Sequence, residues 1–224
     1  MLKGFSKGGI HTPEYKISKT EAIADFPLPE IAVVPLSQHI GAPAAACVKK
    51  GDAVRVGQVI GTAAGFVSSN IHAPVSGTVV AVDATPDTGG IRRPSISIRA
   101  EGDVWIDTID RSDRLVKTCD LSKEEIFKKI TEAGLVGMGG ATFPTHVKLS
   151  GAIGKADTCI INGAECEPYV TSDNRMMLDH GEDIRRGIEL LKKYVKPDNF
   201  VFAIENNKPH AIAAMKELFA DDPT

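Results

Sequence analysis

Four glycines stand within the seven residues 134–140 of the stretch AGLVGMGGATFPTHVKL (133–149), followed at once by Phe143, Pro144 and Thr145 and then by Lys148. Glycine at that density weakens any helix or strand, so the segment must need unusual backbone angles or a close approach by something else. A helix is expected to run into it. DLSKEEIFKKITEAG (120–134) has Ser122 followed three residues later by Glu125, a capping-box signature, and Leu121, Ile126 and Ile130 can share one face. Gly134, Gly137, Gly139 and Gly140 leave backbone N–H groups uncovered, which suits a phosphate or a flat ring laid on the main chain. The standard fingerprints do not fit: no G-x-x-x-x-G-K-[ST] occurs, Thr142 stands where G-x-G-x-x-G has its third glycine, and the loop follows a helix rather than a strand. The residues alone admit two readings, a nucleotide-binding loop and a tight structural turn.

Upstream, residues 1–38 are rich in Gly, Pro, Lys and Thr and end in FPLPEIAVVPL, which reads as an extended lead-in wrapping over another domain. From 39 to 105, short β-branched runs alternate with glycine turns, which predicts a small all-β barrel or sandwich. VKKGDAVRVGQVIG (48–61) and IHAPVSGTVVAVD (71–83) are similar to the two halves of a barrel-sandwich domain of the lipoyl and biotinyl-carrier type. In such carriers a lysine at the hairpin tip bears the prosthetic group. None occurs here between Arg55 and Arg92, so a structural or docking role is the better reading.

Downstream, residues 106–224 read as helix, strand, helix, strand, helix, which implies a three-layer α/β domain with parallel strands. ADTCIINGAE (156–165) gives an apolar strand ending at Asn162, and NFVFAIENN (199–207) gives a second. RMMLDHGEDIRRGIELLKKYV places Met177, Ile184, Ile188, Leu191 and Val195 at helical spacing, and Pro209 opens a last helix. Two strands cannot complete a doubly wound sheet, so the sequence reads as a fragment. After the first strand come Glu165 and Glu167, at the edge where α/β proteins bind ligands. Paired carboxylates there suit acid–base hydrolysis, hydrogen bonding to ribose or flavin hydroxyls, or a solvated loop with a capping role.

A formal net charge of −3 gives no electrostatic footprint for nucleic acid, and no apolar run approaches the roughly 20 residues of a membrane-spanning helix. The chain reads as soluble. Cys47, Cys119, Cys159 and Cys166 are widely spaced, so neither a zinc nor an iron–sulfur ligand set is expected, and reduced, mostly buried thiols are. His39 and His72 read as structural histidines, and no metal site is expected.

GLVGMGGATFPTHVKL resembles the FMN-binding loop of the complex I 51-kDa subunit, and INGAECEPY resembles that family's NADEGEP. The chain is more similar still to the C subunits of Rnf ion-translocating ferredoxin:NAD oxidoreductase complexes. GGIHTPEYK, PLSQHIGAPA, KGDAVRVGQVIG, HAPVSGTV, INGAECEPY and AIENNKP follow that family's landmarks in order. The resemblance implies α/β plus β architecture, a barrel-sandwich hybrid followed by an incomplete Rossmann-like domain of the 51-kDa type. It also implies FMN and NAD(H) as cofactors, with no catalytic side chain. Electrons would pass to iron–sulfur centres, and partners would be the other subunits of a membrane complex at the cytoplasmic face, with ferredoxin reached indirectly. Gly137, Gly139 and Gly140 would hold the flavin phosphate region, Lys148 would add positive charge there, and Phe143 would lie against the adenine or flavin side. Asn162, Glu165 and Glu167 would contact the isoalloxazine or NADH.

Met138 and Ala164 depart from the 51-kDa pattern, replacing an Arg and an Asp that help to hold NADH. Two [4Fe–4S] motifs of the family would lie beyond residue 224. Two other readings fit the same motifs: a soluble flavoprotein of cobalamin-reductase type, and a docking scaffold that retains no cofactor.

Overall fold

The computed structural model describes residues 13–112, 116 and 118–222. The chain divides into two compact units, Phe26–Lys155 on the one hand and Met1–Asp25 with Ala156–Thr224 on the other.

In the first unit two antiparallel sheets enclose a core. The IAVVP of the lead-in becomes β1 (Ile31–Pro35), which pairs antiparallel with β7 (Arg92–Ala100) and turns Ala32 and Val34 inward. β7 forms a long hairpin with β6 (Gly77–Pro86), and β3 (Ala53–Val54) closes that sheet in the order β1-β7-β6-β3. The second sheet is β2 (Ala45–Ala46), β4 (Val59–Thr62) and β5 (Ile71–His72), in the order β2-β4-β5. Alternation places Val79, Ile96 and Ile98 on the inner face, where with Leu36, Val54, Ile60, Ile71 and Val75 they are buried.

The tip between β4 and β5 is tied by side chains. Asn70 Oδ1 accepts the Ala63 N–H at 3.0 Å and Ser68 Oγ accepts the Ala64 N–H at 3.1 Å, which leaves Phe66 exposed there. His39 is buried, its Nε2 taking the Ser69 N–H at 3.1 Å, as expected of a structural histidine. Helix α1 (Lys123–Glu132) starts with the expected capping box, Glu125 N–H to Ser122 Oγ and Ser122 N–H to Glu125 Oε2. The first unit ends with α2 (Thr145–Ala152), a helix that the sequence pattern does not separate from the loop.

The second unit is built on a parallel pair, β8 (Thr158–Asn162) and β9 (Asn199–Ala203), in register from Thr158 opposite Asn199 to Asn162 opposite Ala203. The helical run expected over 175–195 is broken at His180 into α3 (Ser172–Asp179) and α4 (Gly181–Tyr194), because His180 leaves helical angles at φ −126° and ψ 31°. α5 (Pro209–Leu218) begins with its proline in the first turn, as expected. Met177, Ala211 and Met215 form the buried centre, lined by Ile184, Phe202, Ile204, Leu218 and Phe219.

Candidate functional site

The glycine stretch resolves into parts with different causes. Ala133 ends α1 in right-handed geometry and Gly134 turns to φ +65°. A Cβ there would lie 2.4 Å from the Asn70 carbonyl oxygen, so what presses on Gly134 is the protein's own loop before β5. Beyond it, Gly137 N–H donates to Phe143 O and Thr145 N–H to Leu135 O, both at 2.9 Å, closing the base of a loop at the Val136–Pro144 bridge. At the tip the picture reverses. A Cβ on Gly139 or Gly140 would meet no described atom within 4 Å, and Met138 is 95% exposed.

α2 springs from this loop. Its N-cap, the buried Pro144, offers no side-chain hydrogen bond, and no acidic residue occupies the first turn. The orphan N–H groups and dipole of such a helix end favour an anion. Lys148, one turn on, sets its ammonium 3.4 Å from where a Cβ on Gly137 would be. His146, in the first turn, has a buried Nδ1 with no described hydrogen-bond partner. Open glycines, an uncapped helix start and a nearby ammonium fit a flavin phosphate. The loop thus gathers Gly137, Gly139, Gly140, the half-buried Phe143 and Lys148.

Asn162, Glu165 and Glu167 belong to the other unit, on one loop at the carboxyl end of β8. Asn162 Oδ1 accepts the Ala164 N–H at 3.1 Å and so turns the chain off the strand. The Glu165 side chain is fully buried and its oxygens are engaged by the protein itself. Oε1 accepts the Asn174 N–H at 3.0 Å, which caps α3 from outside its sequence because Thr171 supplies no side-chain cap. Oε2 faces Lys16 Nζ at 2.9 Å and Lys208 Nζ at 3.2 Å. Glu205, just past β9, pairs with the same Lys208 and accepts the Glu165 N–H.

Burial pushes the Glu165 carboxyl up, but the Asn174 N–H and the two ammonium groups outweigh it and hold it below the ordinary range. For Glu205 burial is likewise outweighed, by Lys208 and the Glu165 N–H. Asp173 moves the other way, raised by burial and by the Glu165 charge. A carboxylate saturated like Glu165 is no proton shuttle, so acid–base hydrolysis finds no support, whereas the capping role does, in buried rather than solvated form. Glu167 and Asn162 remain exposed. Beside the cluster lies a cavity of about 470 Å³ lined by Lys16, Lys19, Arg175, Lys208 and His210 among others.

Sequence reading missed Lys16, Glu205 and Lys208. Lys208 and Glu205 carried a signal, since they flank the carboxyl end of a parallel strand; Lys16, 149 positions from its partner, carried none. It also misplaced the thiols: Cys47 and Cys166 are exposed and Cys119 and Cys159 half-buried. Among the described residues no group of three or more His, Cys, Asp or Glu side chains could hold a metal ion, and no helix is long and apolar enough to cross a membrane.

Residues 5–103 match the family model of the RnfC barrel sandwich hybrid domain, and residues 130–224 match the Nuo51 FMN-binding domain. The class is therefore a barrel-sandwich hybrid joined to an FMN-binding domain. The first of these domains is of the RnfC type, and the similarity to RnfC subunits runs through both. It is 43% identical over 222 residues to the C subunit of the Na⁺-translocating ferredoxin:NAD⁺ oxidoreductase complex of Acetobacterium woodii, covering 98% of this chain and 49% of that protein. It is likewise 43% identical to the C subunit of the proton-translocating ferredoxin:NAD⁺ oxidoreductase complex of Clostridium ljungdahlii, covering 98% of this chain and 48% of that one. With the C subunit of the ion-translocating oxidoreductase complex of Rhodobacter capsulatus it shares 44% identity over 96% of this chain and 42% of the relative. The chain thus spans about half the length of these curated relatives.

Proposed function

We propose that this chain is the flavin-bearing part of an electron-transfer subunit that moves electrons between NAD(H) and iron–sulfur centres within a membrane-bound, ion-translocating complex. The observation that carries the reading is the loop of open glycines leading into the uncapped start of α2 beside Lys148, inside the segment that matches an FMN-binding family. FMN, when bound, supplies the exchange between hydride and single electrons, and the protein supplies orientation and electrostatics. Gly137, Gly139, Gly140 and Lys148 hold its phosphate region, with Phe143 on the adenine or flavin side. Asn162 and Glu167 offer polar contacts to the isoalloxazine or NADH, and Glu165 acts by fixing the loop that carries them.

The parallel pair β8–β9 flanked by α3, α4 and α5 supports a Rossmann-like reading of that unit. Phe66 at the tip where a carrier presents its lysine supports a docking role for the barrel-sandwich domain. Partners are then the other subunits of the complex at the cytoplasmic face of the membrane, with ferredoxin reached through them, and the two [4Fe–4S] clusters lie in the additional length seen in the relatives.

The test is an absorbance spectrum of the full-length protein purified without oxygen, before and after NADH. Flavin bands that bleach on addition, above a broad cluster absorbance, are expected. A protein that stays colourless after incubation with FMN would sink the reading and leave the docking scaffold.

A further inference from the structure

We infer that Lys16 is a positioning residue of the candidate redox site, and that the segment around it is a built-in brace for the loop that carries Glu167. The inference rests on the functional reading above. An ammonium group has three donors, and three acceptors meet it, all from this loop: Glu165 Oε2 at 2.9 Å, Glu167 O at 2.9 Å and Val170 O at 2.6 Å. Its neighbours reinforce the hold. Ser18 Oγ and Thr171 Oγ1 lie 2.9 Å apart, and Tyr15 stacks on Tyr169 with ring centroids 5.1 Å apart and planes 12° from parallel. Tyr15, Lys16 and Ser18 therefore grip the loop at Glu165, Glu167, Tyr169, Val170 and Thr171.

The brace is separable from the cluster it touches. Lys208 and the Asn174 N–H stay on the Glu165 carboxylate when Lys16 is removed, so the loop loosens while the buried charge keeps a partner. The charged groups facing Glu165 are Lys16 from the brace, Lys208 at the start of α5, Glu205 after β9 and Asp173 in α3. Taking away one of the two cations in this set favours protonation of the carboxylate.

The experiment compares Lys16→Met and Lys16→Arg with the wild type in the full-length protein, reading amide hydrogen exchange over residues 163–171 and the kinetics of NADH oxidation. For Lys16→Met, exchange in that segment quickens, KM for NADH rises about tenfold with kcat little changed, and the acid limb of the pH profile moves up by about one pH unit. Lys16→Arg keeps the charge but not a point donor with three-way geometry, so it restores the acid limb and not KM. Unchanged exchange overturns the brace. Changed exchange with unchanged KM and pH profile overturns the positioning role, as does full recovery of KM in Lys16→Arg. A wild type that holds no FMN and oxidises no NADH sinks the functional reading instead, with exchange still reporting on the brace. Should Lys16→Met not fold, Ser18→Ala removes one contact without touching a charge and shows the same exchange change in smaller measure.

Discussion

In the Phe26–Lys155 unit twelve apolar side chains, Ile60, Ile96 and Ile98 wholly enclosed among them, fill the space between two antiparallel sheets. Among the described residues of the unit built on β8 and β9, the buried cluster is only Met177, Ala211 and Met215, with Ile188 and Val195 buried outside it, and the parallel pair leaves Ile160 63% and Val201 46% exposed. Parallel strands are ordinarily covered on both faces. The contrast teaches that burial of apolar surface holds the first unit, while in the second a buried set of charges around Glu165 shares that task and ties it to the place where the loops are polar.

The sharpest way to break this comparison is to cut one side chain from each core. Ile98→Ala removes a fully enclosed side chain from between two sheets that cannot collapse onto the gap, at a cost of about 4 kcal/mol. Met215→Ala, in a smaller core whose neighbours can shift, costs about 2 kcal/mol. Urea melts check both. Trp105, the single tryptophan of the chain, lies in the first unit, so its fluorescence transition moves for Ile98→Ala and stays for Met215→Ala. Equal shifts would erase the distinction.

Acid comes next and acts on the second unit. Glu165 and Glu205 are held below the ordinary carboxylate range, so the stability they contribute is complete above that range, at about pH 4.3, and is lost as pH falls through their lowered values. Asp173, raised, works in the opposite sense and returns part of it. The carboxylates lowered in the first unit, the partly exposed Asp87 and the exposed Asp110 and Glu125, lie at the surface and weigh little. Circular dichroism followed from pH 6 to pH 3 should show loss of helix before Trp105 fluorescence changes; the reverse order would mean that the charge cluster is incidental.

The same contrast explains what could be read from the sequence. Period-two alternation in GTVVAVD and the capping box at Ser122 are local signals, and β6 and α1 follow them. α2 was hidden because its start lacks a capping side chain and its residues, THVKLSGA, have no apolar stripe. The break at His180 was hidden too, since Met177 and Ile188 keep helical spacing across it. At the site, the glycines and Lys148 announced themselves by type and order. Glu165 was marked by position but not by role, because its fate depends on Lys16 and Lys208, and contacts between distant residues leave no pattern in one chain.

The smallest stability effect belongs to Gly139, and its size makes it the cleanest probe of the loop. Gly140 has φ +81°, so Gly140→Ala carries a backbone penalty of about 1–2 kcal/mol although a Cβ there would touch nothing described. Gly139 has neither a positive φ nor a neighbour within 4 Å, so Gly139→Phe should change stability by no more than about 0.5 kcal/mol. If the open tip is open for a flavin, that variant loses FMN while melting as the wild type does, a separation that no purely structural turn would give. Retention of FMN by Gly139→Phe, read by flavin fluorescence after gel filtration, would return the whole stretch to the role that Gly134 already has, a glycine required by its own fold.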